Sequence, residues 1–168
     1  MTTGTSTATA TATYRVWIRA DAGAVWAALT DPEQLGSYGY RGRVELDLRP
    51  GGAYRVNADE QMLAFGAPPV MVDCEVLEVE SERRLVFTWR ALWDEQIAAE
   101  PATRVAYELE PLKHGVTKVT LTHEVEGAPI TAAIVSGAIA DAGGGWGWIL
   151  SDLKSLLETG AALPPQMG

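Results

Sequence analysis

Histidine and cysteine are scarce in this sequence, and their scarcity limits the chemistry that the chain can carry. There are two histidines and one cysteine, Cys74, in 168 residues. A metal site needs several ligands brought together, so no metal is expected. The glycines at 143–145 are not followed by the Lys-Ser or Lys-Thr of a nucleotide loop, so no cofactor is expected either. One cysteine cannot form an internal disulfide, which favours a reducing, cytoplasmic location.

Positive charge and long apolar runs are also lacking. The chain has 13 Lys and Arg against 22 Asp and Glu, which gives a formal net charge of -9 at pH 7. Such a surface repels phosphates, so we expect no nucleic-acid partner and no membrane partner. No apolar run is long enough to cross a bilayer. The first residues, MTTGTSTATATAT, contain no basic residue and no apolar block, so we expect no secretory signal.

The composition that is present predicts one folded domain. Apolar residues make up 47% of the chain and charged residues 21%, which is typical of a globular protein with its own core. The Thr/Ala bias predicts a disordered tail over residues 1–12. The ending AALPPQMG predicts a second tail over residues 162–168. The domain is therefore expected over residues 13–161.

Alternation of apolar and polar residues predicts a series of β-strands. The predicted strands are residues 14–19, 42–48, 53–57, 70–80, 83–93, 104–110 and 116–126. Pro50, Gly51 and Gly52 form a turn that joins the second and third of them into a hairpin. The pattern slips near Val76 and Leu77, which indicates a β-bulge.

Helical spacing occurs at both ends of this run of strands. Two short helices follow the first strand, with Asp21 and Asp31 as their N-caps. A long amphipathic helix begins near Gly145 and Trp146 and ends at Gly160, because apolar residues recur there at spacings of three and four. The order of elements is α+β rather than alternating βα units. An antiparallel sheet must cover its apolar face, and we expect the long helix to cover it.

Six segments match a known family in order and cover nearly the whole chain outside the tails. They are VWAALTDPEQL (25–35), LRPGGAYRV (48–56), VLEVESERRLVFTWR (76–90), TRVAYELEP (103–111), VTLTHE (119–124) and GWGWILSDLKSLLETG (145–160). Through them the chain resembles the SRPBCC superfamily of START and birch-pollen-allergen-like proteins, and within it the activator-of-heat-shock-ATPase (AHSA-type) homologues of bacteria. The resemblance implies a helix-grip fold, in which a curved antiparallel sheet wraps around the C-terminal helix and an apolar cavity lies between them.

The resemblance implies a use for this cavity but no single activity, because a fold does not fix a function. The first hypothesis is binding of a hydrophobic or aromatic small molecule, with no assigned reaction. One alternative is a polyketide cyclase/aromatase-like or hydrolase enzyme that uses His123 and a cavity tyrosine. A second alternative is a chaperone-linked interaction module.

The candidate cavity residues follow from strand parity and from the resemblance. On the strands Tyr54, Phe87, Trp89, Tyr107 and His123 face one side, so they either line a cavity or form the core. The full candidate set adds Tyr38 at the mouth and Trp146, Leu150 and Leu153 on the long helix. His123 is the one candidate catalytic residue, since imidazole titrates near neutral pH. The alternative is a buried histidine whose nitrogens are satisfied by neighbours.

Apolar residues also occur in segments that carry no clear strand pattern. They are Met62, Phe65, Ile130, Ile134, Val135 and Ile139. Apolar surface of this kind usually contacts something, so these residues are expected to form a lid over the cavity or a homodimer contact. A short helix is expected around residues 132–140, and the sequence leaves open whether residues 128–142 form a lid, a helix or a dimer contact.

Overall fold

One antiparallel sheet of seven strands dominates the part of the chain that the computed structural model describes, residues 11–139 and 144–164. Its strands are, in chain order, β1 (Thr11–Ile18), β2 (Arg43–Leu46), β3 (Ala53–Asn57), β4 (Val70–Glu80), β5 (Arg84–Ala91), β6 (Thr103–Pro111) and β7 (Thr117–Glu124). Across the sheet they lie in the order β1-β7-β6-β5-β4-β3-β2. β2 to β7 therefore form a meander, and β7 pairs with the first strand, β1.

Helices connect the two edge strands and cover one face of the sheet. Within the described residues they are α1 (Ala22–Thr30), α2 (Pro32–Leu35), α3 (Glu60–Ala64), α4 (Glu95–Ala98), α5 (Pro129–Val135) and α6 (Gly145–Thr159). α1 and α2 carry the chain from β1 at one edge to β2 at the other. α6 packs against β1, α1 and α5. None of the helices in these described segments has both the length and the apolarity needed to cross a bilayer.

The hydrophobic core lies between the curved sheet and α6. Leu85, Val105 and Leu121 on the sheet are fully buried, and α6 contributes Leu150 and Leu153 to the same core. Full burial of each such side chain contributes about 1.5–3 kcal/mol. The prediction of an α+β fold in which a curved antiparallel sheet packs on the C-terminal helix is confirmed.

Short polar caps fix the ends of the small helices. The Asp21 carboxylate accepts a hydrogen bond from the Ala24 N–H at 2.8 Å, and that of Asp31 accepts one from the Glu33 N–H at 3.0 Å, as predicted. α3 and α4 lie in segments for which neither a strand nor a helix was predicted. Each has only four or five residues, too few for a helical period to show. Their one sequence signal is the N-cap aspartate, Asp59 for α3 and Asp94 for α4.

Several predicted boundaries move in the structure. β1 begins at Thr11, so residues 11 and 12 belong to the sheet and not to the predicted tail. The predicted bulge is confirmed by a register shift between Val76 and Glu78. α5 begins at Pro129, three residues before the predicted helix, because proline suits the first helical position. α5 ends at Val135, so residues 136–139 of the predicted helix are not helical. Residue 140 and the tail predictions at 1–10 and 165–168 lie outside the described residues.

The C-terminal segment is tied to the domain further than predicted. The backbone N–H of Leu163 donates to Oδ1 of Asp152 at 2.7 Å, and its carbonyl accepts from Nη2 of Arg41 at 2.7 Å. Residues 162–164 were expected to belong to the tail. The contacts that hold them involve a helix and a loop far away in sequence, which a local pattern does not reveal.

Candidate functional site

A cavity of about 440 Å³ lies between the inner face of the sheet and α6. Strands β3 to β6 form its floor, α5 and α6 form one side, and residues 38–42 after α2, called the mouth loop, form another. Its walls are almost entirely apolar or aromatic; its lining includes Leu35, Val44, Val56, Met62, Met71, Val72, Cys74, Trp93, Ile134, Val135 and Ile149. This volume lies within the range of ordinary small-molecule sites.

An aromatic row crosses the cavity floor from β3 to α6. The ring centroids of Tyr54 and Phe87 are 5.0 Å apart, those of Phe87 and Tyr107 are 6.1 Å apart, and those of Tyr107 and Trp146 are 6.3 Å apart. The row forms because inward positions alternate along each strand. Phe87 and Tyr107 lie on the neighbouring strands β5 and β6, and Tyr54 lies on β3, with β4 between it and β5. Aromatic rings in such tilted and edge-on arrangements attract one another as well as exclude water.

Two phenol groups in this row have no hydrogen-bond partner within residues 11–139 and 144–164. The side chains of Tyr54 and Tyr107 are 9% and 6% exposed, and burial raises the pKa of both. Among the described residues every fully buried side-chain nitrogen or oxygen has a hydrogen-bond partner. Because these two hydroxyls have none, they are not fully buried and are open to the cavity. Tyr38 differs, because its hydroxyl donates to the Ala28 carbonyl at 2.9 Å.

The nine predicted site residues separate into two groups. Six of them line the cavity: Tyr38, Tyr54, Phe87, Trp89, Tyr107 and Trp146. Leu150, Leu153 and His123 do not line it. The two leucines lie deeper along α6, where they are 4% and 0% exposed in the core. At this level α6 packs directly on the sheet, and the cavity lies nearer the N-terminus of the helix. The structure therefore does not place Leu150 and Leu153 at the cavity, where they were predicted.

His123 lies behind the cavity wall in a complete hydrogen-bond chain. The Trp146 Nε1–H donates to its Nδ1 at 2.9 Å, and its Nε2 lies 2.7 Å from Oγ1 of Thr103. The Thr103 hydroxyl donates to the Trp89 carbonyl at 2.9 Å. An indole nitrogen can only donate, so Nδ1 is the acceptor and the imidazole carries its proton on Nε2. Every donor and acceptor of the neutral ring is therefore used.

This environment keeps His123 uncharged. The residue is 0% exposed, and burial lowers its pKa from 6.5 to about 4. Protonation would place a second N–H opposite the Trp146 indole N–H, where two donors face each other. The ring is held as a connector between α6 and the sheet, and it has no free nitrogen to offer to a cavity occupant.

Asp152 is an important residue that the sequence analysis missed. It is a fully buried carboxylate on α6, between Leu150 and Leu153. Its Oδ2 accepts from the Gly39 N–H at 2.8 Å and lies 3.8 Å from Nη2 of Arg41. The other oxygen holds Leu163. The signal that could have found it is a charged residue in the apolar stripe of a helix, since such residues are buried only when paired.

The mouth loop depends on this carboxylate. Tyr38, Gly39, Tyr40 and Arg41 line the cavity there, and Arg41 has a left-handed backbone (φ 59°). Such a conformation needs support for a residue other than glycine. The bond from Gly39 to Asp152 and the bond from Arg41 to the Leu163 carbonyl supply that support.

Some of the apolar residues that were expected to form a lid or a homodimer contact line the cavity, and others are exposed. Met62, Ile134 and Val135 line the cavity, so α3 and α5 contribute to its wall. Phe65 is 83% exposed and Ile139 is 41% exposed, and neither covers the cavity. α5 itself is held by Glu100, whose carboxylate accepts from the N–H groups of residues 130 and 131 and from the Thr131 hydroxyl.

Cys74 lines the cavity as a small buried side chain. It is 7% exposed, and burial raises the pKa of its thiol, so the thiol is protonated at neutral pH. The histidines, acids and cysteine of the described residues form no cluster of three that could hold a metal ion. The chemical capacity of the cavity is therefore apolar contact together with hydrogen bonding by phenols.

Comparison with known proteins gives one family and a set of solved structures. Residues 19–158 match the family described as Activator of Hsp90 ATPase homolog 1-like protein. Among curated proteins none matches significantly. DynU16, a protein in the dynemicin biosynthetic locus, is 25% identical with a TM-score of 0.66, over 92% of this chain and 49% of the DynU16 chain.

Two further structures have the same fold at lower identity. CalU16 from Micromonospora echinospora is 21% identical with a TM-score of 0.53, over 73% of this chain and 66% of its own. The Aha1 dimer from Colwellia psychrerythraea is 18% identical with a TM-score of 0.64, over 89% of this chain and 97% of the other. This chain thus spans about half of DynU16 and about two thirds of CalU16.

Proposed function

The chain belongs to the family of Activator of Hsp90 ATPase homolog 1-like proteins, and from this premise we propose that it binds a hydrophobic or aromatic small molecule in the cavity between the sheet and α6. The observation that carries the proposal is the cavity itself, about 440 Å³ with an aromatic lining. Protein interiors are normally close-packed, and an apolar void lowers stability. A cavity of this size lowers the stability of the folded protein, and a role in ligand binding would explain why the protein has one.

The occurrence of DynU16 in the dynemicin biosynthetic locus supports a small organic molecule as the ligand. The lining supports the same class of ligand. Charged residues are nearly absent from it, and the rings of Tyr54, Phe87 and Tyr107 offer flat apolar surface. Flat aromatic surfaces favour flat apolar partners, because stacking adds to the free energy of burial.

A thermal-shift experiment with a cavity-filling variant tests the proposal. The probes are long-chain fatty acids, sterols and polycyclic aromatic ketones. We expect at least one of them to raise the Tm of the wild-type protein, because ligand at a hundredfold excess over Kd stabilises the folded state by about 2.7 kcal/mol. Cys74→Phe places a ring in the cavity and should abolish that shift.

Cys74→Ala is the matched control, because it changes the same position and leaves the cavity open. Its Tm should rise with the same probes as that of the wild-type protein. The proposal fails if no probe stabilises the wild-type protein. It also fails if Cys74→Phe, with its own Tm preserved, is stabilised as strongly as the control.

The enzyme alternative receives less support from the site. A cyclase/aromatase-like or hydrolase reaction at His123 needs a ring nitrogen that reaches a substrate. Both nitrogens of His123 are occupied by Trp146 and Thr103, and the residue does not line the cavity. Without His123 a cavity tyrosine would have to act as the general acid. Burial raises the pKa of Tyr54 and Tyr107 further from neutrality, which makes each a weaker acid.

A protein-interaction role, including a homodimer or a chaperone, is the second candidate function. The observation that favours it is the exposed pair Leu63 and Phe65 at the end of α3, which are 44% and 83% exposed. Exposed apolar surface often marks a contact surface. The family description and the dimeric Aha1 of Colwellia psychrerythraea support the same role. The mass of the protein in solution distinguishes a homodimer from a monomer.

A further inference from the structure

We propose that the hydroxyls of Tyr54 and Tyr107 select ligands that carry a carbonyl or similar acceptor oxygen over hydrocarbons of the same shape. The inference rests on the proposed function and names the chemical class of its ligand. The class is a neutral aromatic molecule with at least one acceptor oxygen. Three features of the site favour this class: the positions of the two hydroxyls, their donor character and the charge around them.

The two tyrosines flank one ring on the cavity floor. Tyr54 is on β3 and Tyr107 is on β6, and their ring centroids lie 5.0 Å and 6.1 Å from that of Phe87 on β5. Both residues line the cavity. A flat molecule that stacks over Phe87 therefore has a phenol on each side of it.

The hydroxyls of Tyr54 and Tyr107 differ from the other buried hydroxyls of the protein in their hydrogen bonding. Thr103, Thr117 and Thr131 all donate to an acceptor of the protein. The Tyr38 hydroxyl does so too. Those of Tyr54 and Tyr107 have no partner within the described segments, although each residue is more than nine-tenths buried. Both hydroxyls open into the cavity, so an occupant without an acceptor removes them from water unpaired, at a cost of about 1–3 kcal/mol for each group. An occupant with an acceptor avoids that cost.

The hydroxyls act as donors, and this decides the chemistry of the partner. Burial raises the pKa of each phenol, so both keep their protons at neutral pH. A protonated phenol offers one O–H, and the complementary group is an acceptor such as a ketone or quinone oxygen. A hydrocarbon leaves both hydroxyls unpaired and is bound less tightly.

The charge near the cavity favours a neutral ligand. Arg41 is the charged residue among the described lining residues. Its guanidinium already donates to the Leu163 carbonyl at 2.7 Å and lies 3.8 Å from the Asp152 carboxylate. An anionic ligand would therefore find no unpaired cation here to offset its loss of water.

Paired probes test the inference. Fluorene and 9-fluorenone are planar three-ring molecules of nearly the same shape, and only the second has a carbonyl. Equilibrium dialysis gives Kd for each probe with the wild-type protein, Tyr54→Phe, Tyr107→Phe and the double variant. We expect the double variant to lower the preference for fluorenone over fluorene by about fivefold or more, which corresponds to one net hydrogen bond. Affinity for fluorene should not fall.

Tyr38→Phe is the matched control. Its ring also lines the cavity, but its hydroxyl is already paired with the protein, so its loss should leave the preference unchanged. Thermal unfolding verifies that every variant is folded. Equal preference in the wild-type protein and the double variant, with both probes bound, would overturn the inference and leave the proposed function standing. If neither probe binds the wild-type protein while the fatty acids or sterols do, the inference alone fails. If no probe of any kind binds, the proposed function fails with it.

Discussion

His123 joins four elements through one chain of hydrogen bonds. The chain starts at Trp146 on α6, passes through His123 on β7 and Thr103 on β6, and ends at the Trp89 carbonyl on β5. It is complete only while the imidazole is neutral. Two of its members, Trp89 and Trp146, are also cavity walls. The protonation state of one buried ring therefore affects both the stability of the domain and the shape of the cavity.

This chain makes stability depend on pH. The pKa of His123 is about 4 in the folded protein and near 6.5 in the unfolded chain, so the unfolded state binds the proton first as pH falls. The contribution to stability is complete above pH 6.5 and is lost as pH falls toward 4, by up to about 3 kcal/mol. Urea unfolding at pH 7 and pH 5 should show a loss of about 2 kcal/mol from this group.

Comparison of variants isolates that loss from the effects of carboxylates. His123→Gln keeps an amide near the position of Nε2 and cannot gain the proton, so its stability at pH 7 should fall and its loss between pH 7 and pH 5 should be smaller than that of the wild-type protein. His114→Asn is the control, because it removes the other histidine of the chain at an exposed position. An identical pH dependence in His123→Gln and the wild-type protein would show that His123 is not the titrating group.

At the scale of an element, the start of α6 depends on close backbone approach. Gly144 and Gly145 have φ of 82° and 64°, and a Cβ on Gly145 would overlap the carbonyl oxygen of Val135 at the end of α5. The glycine lets the two helices meet, and this places the Trp146 ring over the cavity and against His123. The other end of α6 also has a left-handed glycine, Gly160, but there is open space around it.

Alanine at these two glycines separates backbone strain from steric overlap. Gly160→Ala should lower the free energy of unfolding by about 1–2 kcal/mol, the cost of a left-handed backbone for alanine. Gly145→Ala adds an overlap with backbone atoms that cannot rotate away, so it should cost at least about 3 kcal/mol. Urea unfolding at pH 7 measures both. Equal losses in the two variants would mean that α5 moves away without cost.

The elements that the sequence predicts well are the ones that carry their own signals. α1, α2 and α6 were predicted from aspartate caps, apolar spacing and a terminal glycine, and strand parity predicted the inward set Tyr54, Phe87 and Tyr107. α3 and α4 were missed because one turn of helix shows no period. Parity also placed His123 inward, but it cannot tell a cavity wall from the layer behind it. That distinction depends on how α6 lies over the sheet, which is a tertiary property.

At the scale of the whole molecule, Asp152 connects segments that are distant in sequence. From its place on α6 it holds Gly39 in the mouth loop and Leu163 in the C-terminal segment. No local pattern gives these partners, since 113 residues separate Asp152 from Gly39. The mouth loop, the last helix and the end of the described chain therefore share one buried charge.

Neutralising this carboxylate should loosen all three segments. Asp152→Asn replaces one acceptor oxygen by an NH₂ group that faces a backbone N–H, so we expect a loss of about 3 kcal/mol in the free energy of unfolding. Asp47→Asn is the control, because Asp47 pairs with Arg49 at the exposed surface and such pairs contribute at most about 1 kcal/mol. Hydrogen exchange should also become faster at the Gly39 and Leu163 amides. Stability and exchange equal to those of the control would contradict this assignment.

The strand order has a consequence for how the protein is made. Of the seven described strands β1 is the first to leave the ribosome, yet its partner is β7, with Thr11 opposite Glu124. β2 to β7 can pair in turn as they emerge, because each lies next to its successor. β1 must wait on the order of ten seconds at ordinary synthesis rates before its partner exists. During that interval β1 has no strand paired with it, and the seven-stranded sheet is complete only after β7 has been made.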